Sequence, residues 1–175
     1  SQFLSRVHRQ TLYAVFCKAA RAGSYEAFPE DVSFRVACSD DIPLIADLQE
    51  RYEQCQAPHD LAARIRAGEL TVLGASVAHP RQFMYVSVAS PNNRFFRLLP
   101  SEITAADDVC SHGIWVPAAY RGQGIAYRGL RYIEWEAARR GVRRMWAFVK
   151  TENTASLGLH RRLGYEQFGL FRAGR

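Results

Sequence analysis

From Val116 to Ala126 the chain reads Val-Pro-Ala-Ala-Tyr-Arg-Gly-Gln-Gly-Ile-Ala, where an alternating apolar stretch gives way to a helical pattern. A strand-to-helix junction of that composition suits an anion. The first turn of a helix has N–H groups without intrahelical partners and the positive end of the helix dipole. Gly122 and Gly124 allow close approach to that backbone, and Arg121 adds a fixed cation. Together they predict a pyrophosphate cradle. The dinucleotide fingerprint does not fit, because its third glycine would fall at Tyr127, and a P-loop does not fit, because no Gly-Lys-Ser/Thr follows. A glycine-bearing turn that binds nothing is the plain alternative.

The other reactive side chains take bland readings. Cys17, Cys38, Cys55 and Cys110 lie far apart with no CxxC pair, which argues against a zinc site or a disulfide framework and suits a reducing, cytoplasmic setting. No metal is expected. Cys110 reads as a buried strand cysteine, and Trp115, Trp135 and Trp146 as packing residues. The net charge is +6, and residues 121–144 hold seven arginines against Glu134 and Glu136. Such a stretch could meet nucleic acid or a phosphorylated cofactor, or be a solvated helix face. No nucleic-acid motif accompanies it, so no nucleic-acid partner is expected.

The elements around the junction follow from patterning. With 175 residues, nearly half of them apolar, the chain can bury one core. Residues 3–22 place Leu4, Val7, Leu12, Val15, Phe16 and Ala19 at near-helical spacing among Arg6, Arg9, Lys18 and Arg21, with no acid. This predicts a basic amphipathic helix, packed on its own domain or lying on an anionic membrane or a partner. A linker around Gly23-Ser24 and Pro29-Glu30 would set residues 1–30 apart from a body of 31–175. No signal-peptide pattern and no apolar run long enough to span a membrane are present.

Within the body, 33–38 reads as a strand and 39–56 as a helix led by Ser39-Asp40-Asp41. Residues 58–67 predict a short helix, and 70–78 and 82–89 two strands joined at His79-Pro80-Arg81. Residues 90–108 read as a long loop with Phe95, Phe96, Leu98 and Leu99 tucked inward. Then strand 109–116, helix 122–140, strand 143–149, helix 153–163 and strand 165–171 alternate, the sign of an α/β core with crossover helices.

Arg121-x-x-Gly124-x-Ala126 after a strand ending in Val116 resembles the acyl-CoA motif of the GNAT acetyltransferases. Downstream, Asn153-x-x-Ser156-x-x-Leu159 followed by Leu163-Gly164-Tyr165-Glu166 resembles the family's next motif, and upstream Arg35-x-Ala37-x-x-x-Asp41-x-x-x-Ile45 resembles its first strand and helix. The resemblance covers about residues 33–172. It implies an α/β (α+β) GNAT fold: a mixed central sheet of about six to seven strands flanked by helices, here with the extra N-terminal helix. It also implies an acetyl-CoA-dependent N-acetyltransferase in which an amine of a small molecule, amino sugar or peptide attacks the thioester directly. A catalytically weak CoA-binding module, or an enzyme using a longer acyl-CoA near a membrane, are the alternatives. The protein would be a monomer or a homodimer.

The resemblance also implies roles for residues. The strand at 109–116 would bulge and splay from the next one; backbone of Ile114, Trp115 and Val116 would pair with pantetheine amides, and Arg121, Gly122, Gln123, Gly124, Ile125 and Ala126 would hold the pyrophosphate. Asn153 and Ser156 join the cofactor set. His112, placed by strand alternation on the face of Ile114 and Val116, is the expected base, with Asp107 and Asp108 in reserve through water. The usual tyrosine of the second motif is replaced by His160. The acid is therefore His160, Tyr165 or water. Specificity is assigned to residues 40–67 and 90–108, where Arg94 and Arg97 could meet an anionic acceptor or simply face solvent.

Overall fold

Seven short runs rich in branched and aromatic side chains become the strands of one sheet. The structure is a computed structural model that describes residues 11–21, 23, 31–51 and 60–173. Its strands are β1 (Thr11–Ala19), β2 (Val32–Val36), β3 (Leu70–Ser76), β4 (Phe83–Ser90), β5 (Val109–Trp115), β6 (Arg144–Lys150) and β7 (Glu166–Ala173). The helices are α1 (Ile42–Arg51), α2 (Leu61–Arg66), α3 (Ile125–Arg139) and α4 (Thr154–Arg162). Across the sheet the order is β2-β3-β4-β5-β6-β1-β7. Every neighbouring pair is antiparallel except β5–β6, which is parallel and joined through α3.

The two faces of the sheet are covered differently. Leu130, Ile133 and Ala137 of α3, with Leu157 and Leu159 of α4, pack on one face against Phe16, Val72, Tyr85 and Ala147. On the other face Ile45 of α1 and Leu61 of α2 cover Leu73, Val86 and Val88. Phe96, Leu99 and Ile103 of the 90–108 segment cover Val15, Cys110 and Trp146 beside them. The seating of α3 depends on one glycine. A Cβ on Gly129 would stand 2.4 Å from the fully buried ring of Tyr85, so only glycine permits this approach.

The N-terminal segment corrects the sequence reading. Over Thr11–Ala19 the predicted amphipathic helix is a strand lying between β6 and β7, and the membrane-lying role loses its helix there. Leu12 to Cys17 is an unbroken apolar run, and such a run satisfies a helical template by density alone while suiting an interior strand covered on both faces. Residues 1–10 of the expected helix lie outside the described residues. Lys18 also ties β1 to α3 through Glu134, at 2.7 Å. A second correction concerns the 90–108 segment, where Phe96 is buried but Leu98 is 67% exposed. A short 3-10 turn at Phe96–Leu98 points successive side chains in different directions, so the four apolar residues cannot all face inward.

Candidate active site

The parallel pair β5–β6 holds only at its start. Val109 is opposite Met145 and Cys110 opposite Trp146, after which the strands share no further partners. Ser111–Trp115 on one side and Ala147–Lys150 on the other therefore border an opening in the middle of the sheet. The divergence has a local cause. Val88 pairs with His112 and Val86 with Trp115, so two steps along β4 match three along β5. The extra residue is taken up at Gly113, whose φ of +63° lies in the left-handed region that glycine adopts without strain.

That bulge corrects the expected placement of His112. Simple alternation puts His112, Ile114 and Val116 on one face, but the extra residue reverses the phase after Gly113. His112 and Trp115 follow their partners Val88 and Val86 onto the face of α1 and α2, whereas Ile114 and Val116 pack in the core beneath α3. The strand therefore presents its histidine on one side of the opening and its backbone turn toward α3 on the other.

Beyond the opening the chain turns into α3 through Gly122 and Gly124, with φ of +78° and +76°. Neither glycine is crowded: a Cβ would meet nothing within 4 Å at either. Backbone conformation, then, is what requires glycine here. No side chain caps α3, and its hydrogen bonding begins with Arg128 N–H to the Gly124 carbonyl at 3.1 Å. The N–H groups of Ile125, Ala126 and Tyr127 thus precede the first intrahelical bond, just after the exposed turn 121–124. Arg121 Nε donates to the Val116 carbonyl at 3.0 Å, and Gln123 Nε2 to the Ala119 carbonyl at 3.3 Å. These bonds fold the turn back on the end of β5. Arg128 is occupied elsewhere, pairing with Asp31 at 2.7 Å.

His112 is half-buried, and its Nε2 is enclosed with no hydrogen-bond partner among the described residues. Burial, with the positive charge of Arg64 second, pushes its pKa from 6.5 down to about 4, against the opposing charges of Glu69 and Asp60. The imidazole is therefore neutral at pH 7, with a lone pair on one ring nitrogen. Arg64 binds Asp60 at 2.8 Å and Glu69 at 2.9 Å, and Asn92 donates to Glu69 at 2.8 Å. This charged group beside His112 had no sequence signal beyond ordinary helix-surface spacing.

On the other face Asn153 caps α4, its Oδ1 accepting from Ser156 N–H at 3.0 Å. His160 follows one turn after Ser156 and is 1% exposed, stacked on Phe16 and edge-on to Tyr165. Its Nδ1 lies 2.8 Å from the Ser156 carbonyl, which can only accept, so the proton sits on Nδ1 and Nε2 carries a lone pair. Burial lowers the pKa of His160, and the carbonyl bond offsets part of this. Neutral His160 therefore has no proton at Nε2 to give. Tyr165 keeps its proton firmly, because burial and then the nearby Glu134 carboxylate push its pKa up.

The reserve bases sit at the wrong end. Asp107 and Asp108 precede Val109, where β5 and β6 are still paired. Asp108 is buried and accepts from Arg144 at 2.7 Å, Trp146 Nε1 at 3.0 Å and Ala105 N–H at 3.0 Å. Asp107 lies 3.8 Å from Arg143. Both carboxylates close the base of the β5–β6 pair, and sequence adjacency to the strand had suggested more. Cys110 is fully buried, and burial raises its thiol pKa, so it remains an unreactive core residue.

Comparison with known proteins gives the family and the fold. Residues 46–165 match the model of the acetyltransferase (GNAT) family. An acetyltransferase of Agrobacterium fabrum is 30% identical over 128 residues, 73% of each chain. The chain belongs to the GNAT family. An L-methionine sulfoximine/L-methionine sulfone acetyltransferase of Pseudomonas aeruginosa is 38% identical over 58 residues, which are 33% of this chain and only 34% of that protein. The solved structure of AAC(6')-Iy in complex with the bisubstrate analogue CoA-S-monomethyl-acetylneamine superposes with a TM-score of 0.60 at 16% identity, over 80% of this chain and 94% of that one. That likeness is one of fold.

Proposed function

We propose that this chain transfers an acetyl group from acetyl-CoA to the primary amine of a small molecule, amino sugar or peptide by direct attack in a ternary complex. One observation carries the reading: the opening between β5 and β6 leads to an uncapped α3 N-terminus reached through two left-handed glycines. The N–H groups there that precede the first intrahelical bond fit a pyrophosphate, and among the described residues no N-cap side chain takes them. Bound acetyl-CoA would supply the thioester. Backbone N–H groups from Gly122 to Ala126, with Arg121, would hold its phosphates, and the backbone of Ile114, Trp115 and Val116 would line the pantetheine arm. Asn153 and Ser156 support that side indirectly, by fixing α4.

His112 would take the proton the amine must lose, because it stands on the face of the opening opposite α3 and is unprotonated at neutral pH. Its low basicity makes it a weak base for an ammonium group, so orientation of the amine carries much of the rate. The departing thiolate would take its proton from water, since neutral His160 offers a lone pair at Nε2 and buried Tyr165 holds its own proton. That last feature favours the second reading, a CoA-binding module with little turnover. Calorimetry with acetyl-CoA tests the cradle: binding to the native chain, weakened at least tenfold in Arg121→Ala and Gly124→Glu, is the expected result. No binding to the native chain would overturn it. CoA release that no amine accelerates would leave the second reading in place.

A further inference from the structure

On the face that carries His112, a second cleft of about 540 Å³ opens beside the far end of β6. It is lined by Tyr13, Arg94, Phe95, Lys150 and Phe171, with Arg172 at the sheet edge. Lys150, on β6 beyond its last pairing with β5, both lines this cleft and borders the opening described above. Its floor is aromatic. Phe95 packs 5.7 Å from Phe148, 5.5 Å from Phe171 and 4.8 Å from Tyr13. Arg94 stacks over Phe95 at 4.5 Å. No Asp or Glu is among the described lining residues, and neither Arg94 nor Lys150 makes an ion pair among the described residues. Among the described residues, the opposite bank, beside His112, has two carboxylates, Asp60 and Glu69, that share Arg64. Of the described residues, that bank therefore carries excess negative charge and the cleft excess positive charge.

We infer that the acceptor is a bifunctional amine: its ammonium end lies toward His112, Asp60 and Glu69, its flat or apolar body lies on Phe95, and a carboxylate is held by Arg94 and Lys150. The inference rests on the acetyl-transfer reading and names its substrate class. The spacing follows from the strands. Lys150 is four residues past the last paired position of β6 and His112 two past that of β5. The offset is roughly 7 Å along the strands and at least about 5 Å across them, so the backbone positions of His112 and Lys150 stand on the order of 8 Å apart.

The test uses acetyl-CoA and two acceptors, a benzoate with an aminoethyl group para to the carboxylate and the corresponding neutral carboxamide. The native chain should prefer the carboxylate by about tenfold or more in kcat/KM, the size of one charge-assisted hydrogen bond. In Arg94→Gln with Lys150→Gln the preference should collapse to about twofold or less, with melting curves and acetyl-CoA affinity verifying a folded chain. Equal rates in the native chain, or a preference that survives both substitutions, would overturn the inference and leave acetyl transfer intact. Binding of the carboxylate to the CoA-loaded chain, followed by NMR, gives a readout without turnover. If no amine is acetylated but the carboxylate binds the native chain and not the variant, the catalytic reading fails and the cleft stands. If neither turnover nor binding is seen, the cleft assignment fails too.

Discussion

His112 should make the protein acid-sensitive in a calculable way. Burial and Arg64 hold its pKa near 4 in the folded chain, against 6.5 when unfolded. Between those values the unfolded chain binds the proton and the folded chain does not, so stability rises with pH across the window. The sign is that of a buried neutral histidine: its contribution is complete above about pH 7 and is lost as pH falls toward 4. Linkage gives a loss of about 2 kcal/mol by pH 5 and about 3 kcal/mol by pH 4. His112→Gln keeps a polar, neutral side chain and removes the titration. Urea unfolding of both proteins at pH 7, 6, 5 and 4 isolates this group, because His160 and the carboxylates titrate in both. The native curve should fall more steeply, with the difference confined to the region below pH 6.5. Parallel curves would refute the assigned burial. If His112 is also the base, kcat/KM should decline in acid with an apparent pKa near 4, and Arg64→Gln should raise that value.

Further outcomes follow from the same contacts. Gly124→Ala places a Cβ in open space but at φ +76°, so it should cost about 1–2 kcal/mol by denaturant unfolding and weaken acetyl-CoA binding, read by calorimetry. Asp108→Asn removes a buried charge from Arg144 and Trp146 and should cost about 3 kcal/mol, while the folded fraction keeps the native pH profile of activity. Gly129→Ala drives a methyl into the Tyr85 ring; after the helix-propensity gain it should still destabilise by about 1–2 kcal/mol, lowering Tm by several degrees.

Local chemistry was legible in the chain itself. The turn from Val116 to Ala126 depends on left-handed glycines and an uncapped helix start, which are properties of a few adjacent residues, and the alternation of strands and helices from Val109 onward needs only short-range pattern. Three matters required the tertiary structure. Thr11–Ala19 is a strand because β6 and β7 flank it, and no periodicity within an unbroken apolar run could reveal those neighbours. His112 changes face because one residue bulges at Gly113, and a phase shift of one reverses every side chain after it. The banks of opposite charge come from residues separated by up to ninety positions, Asp60, Arg64 and Glu69 on one side and Arg94 and Lys150 on the other. Their sum exists only once the sheet has brought them to the same face, because electrostatic fields add in space and not along the chain.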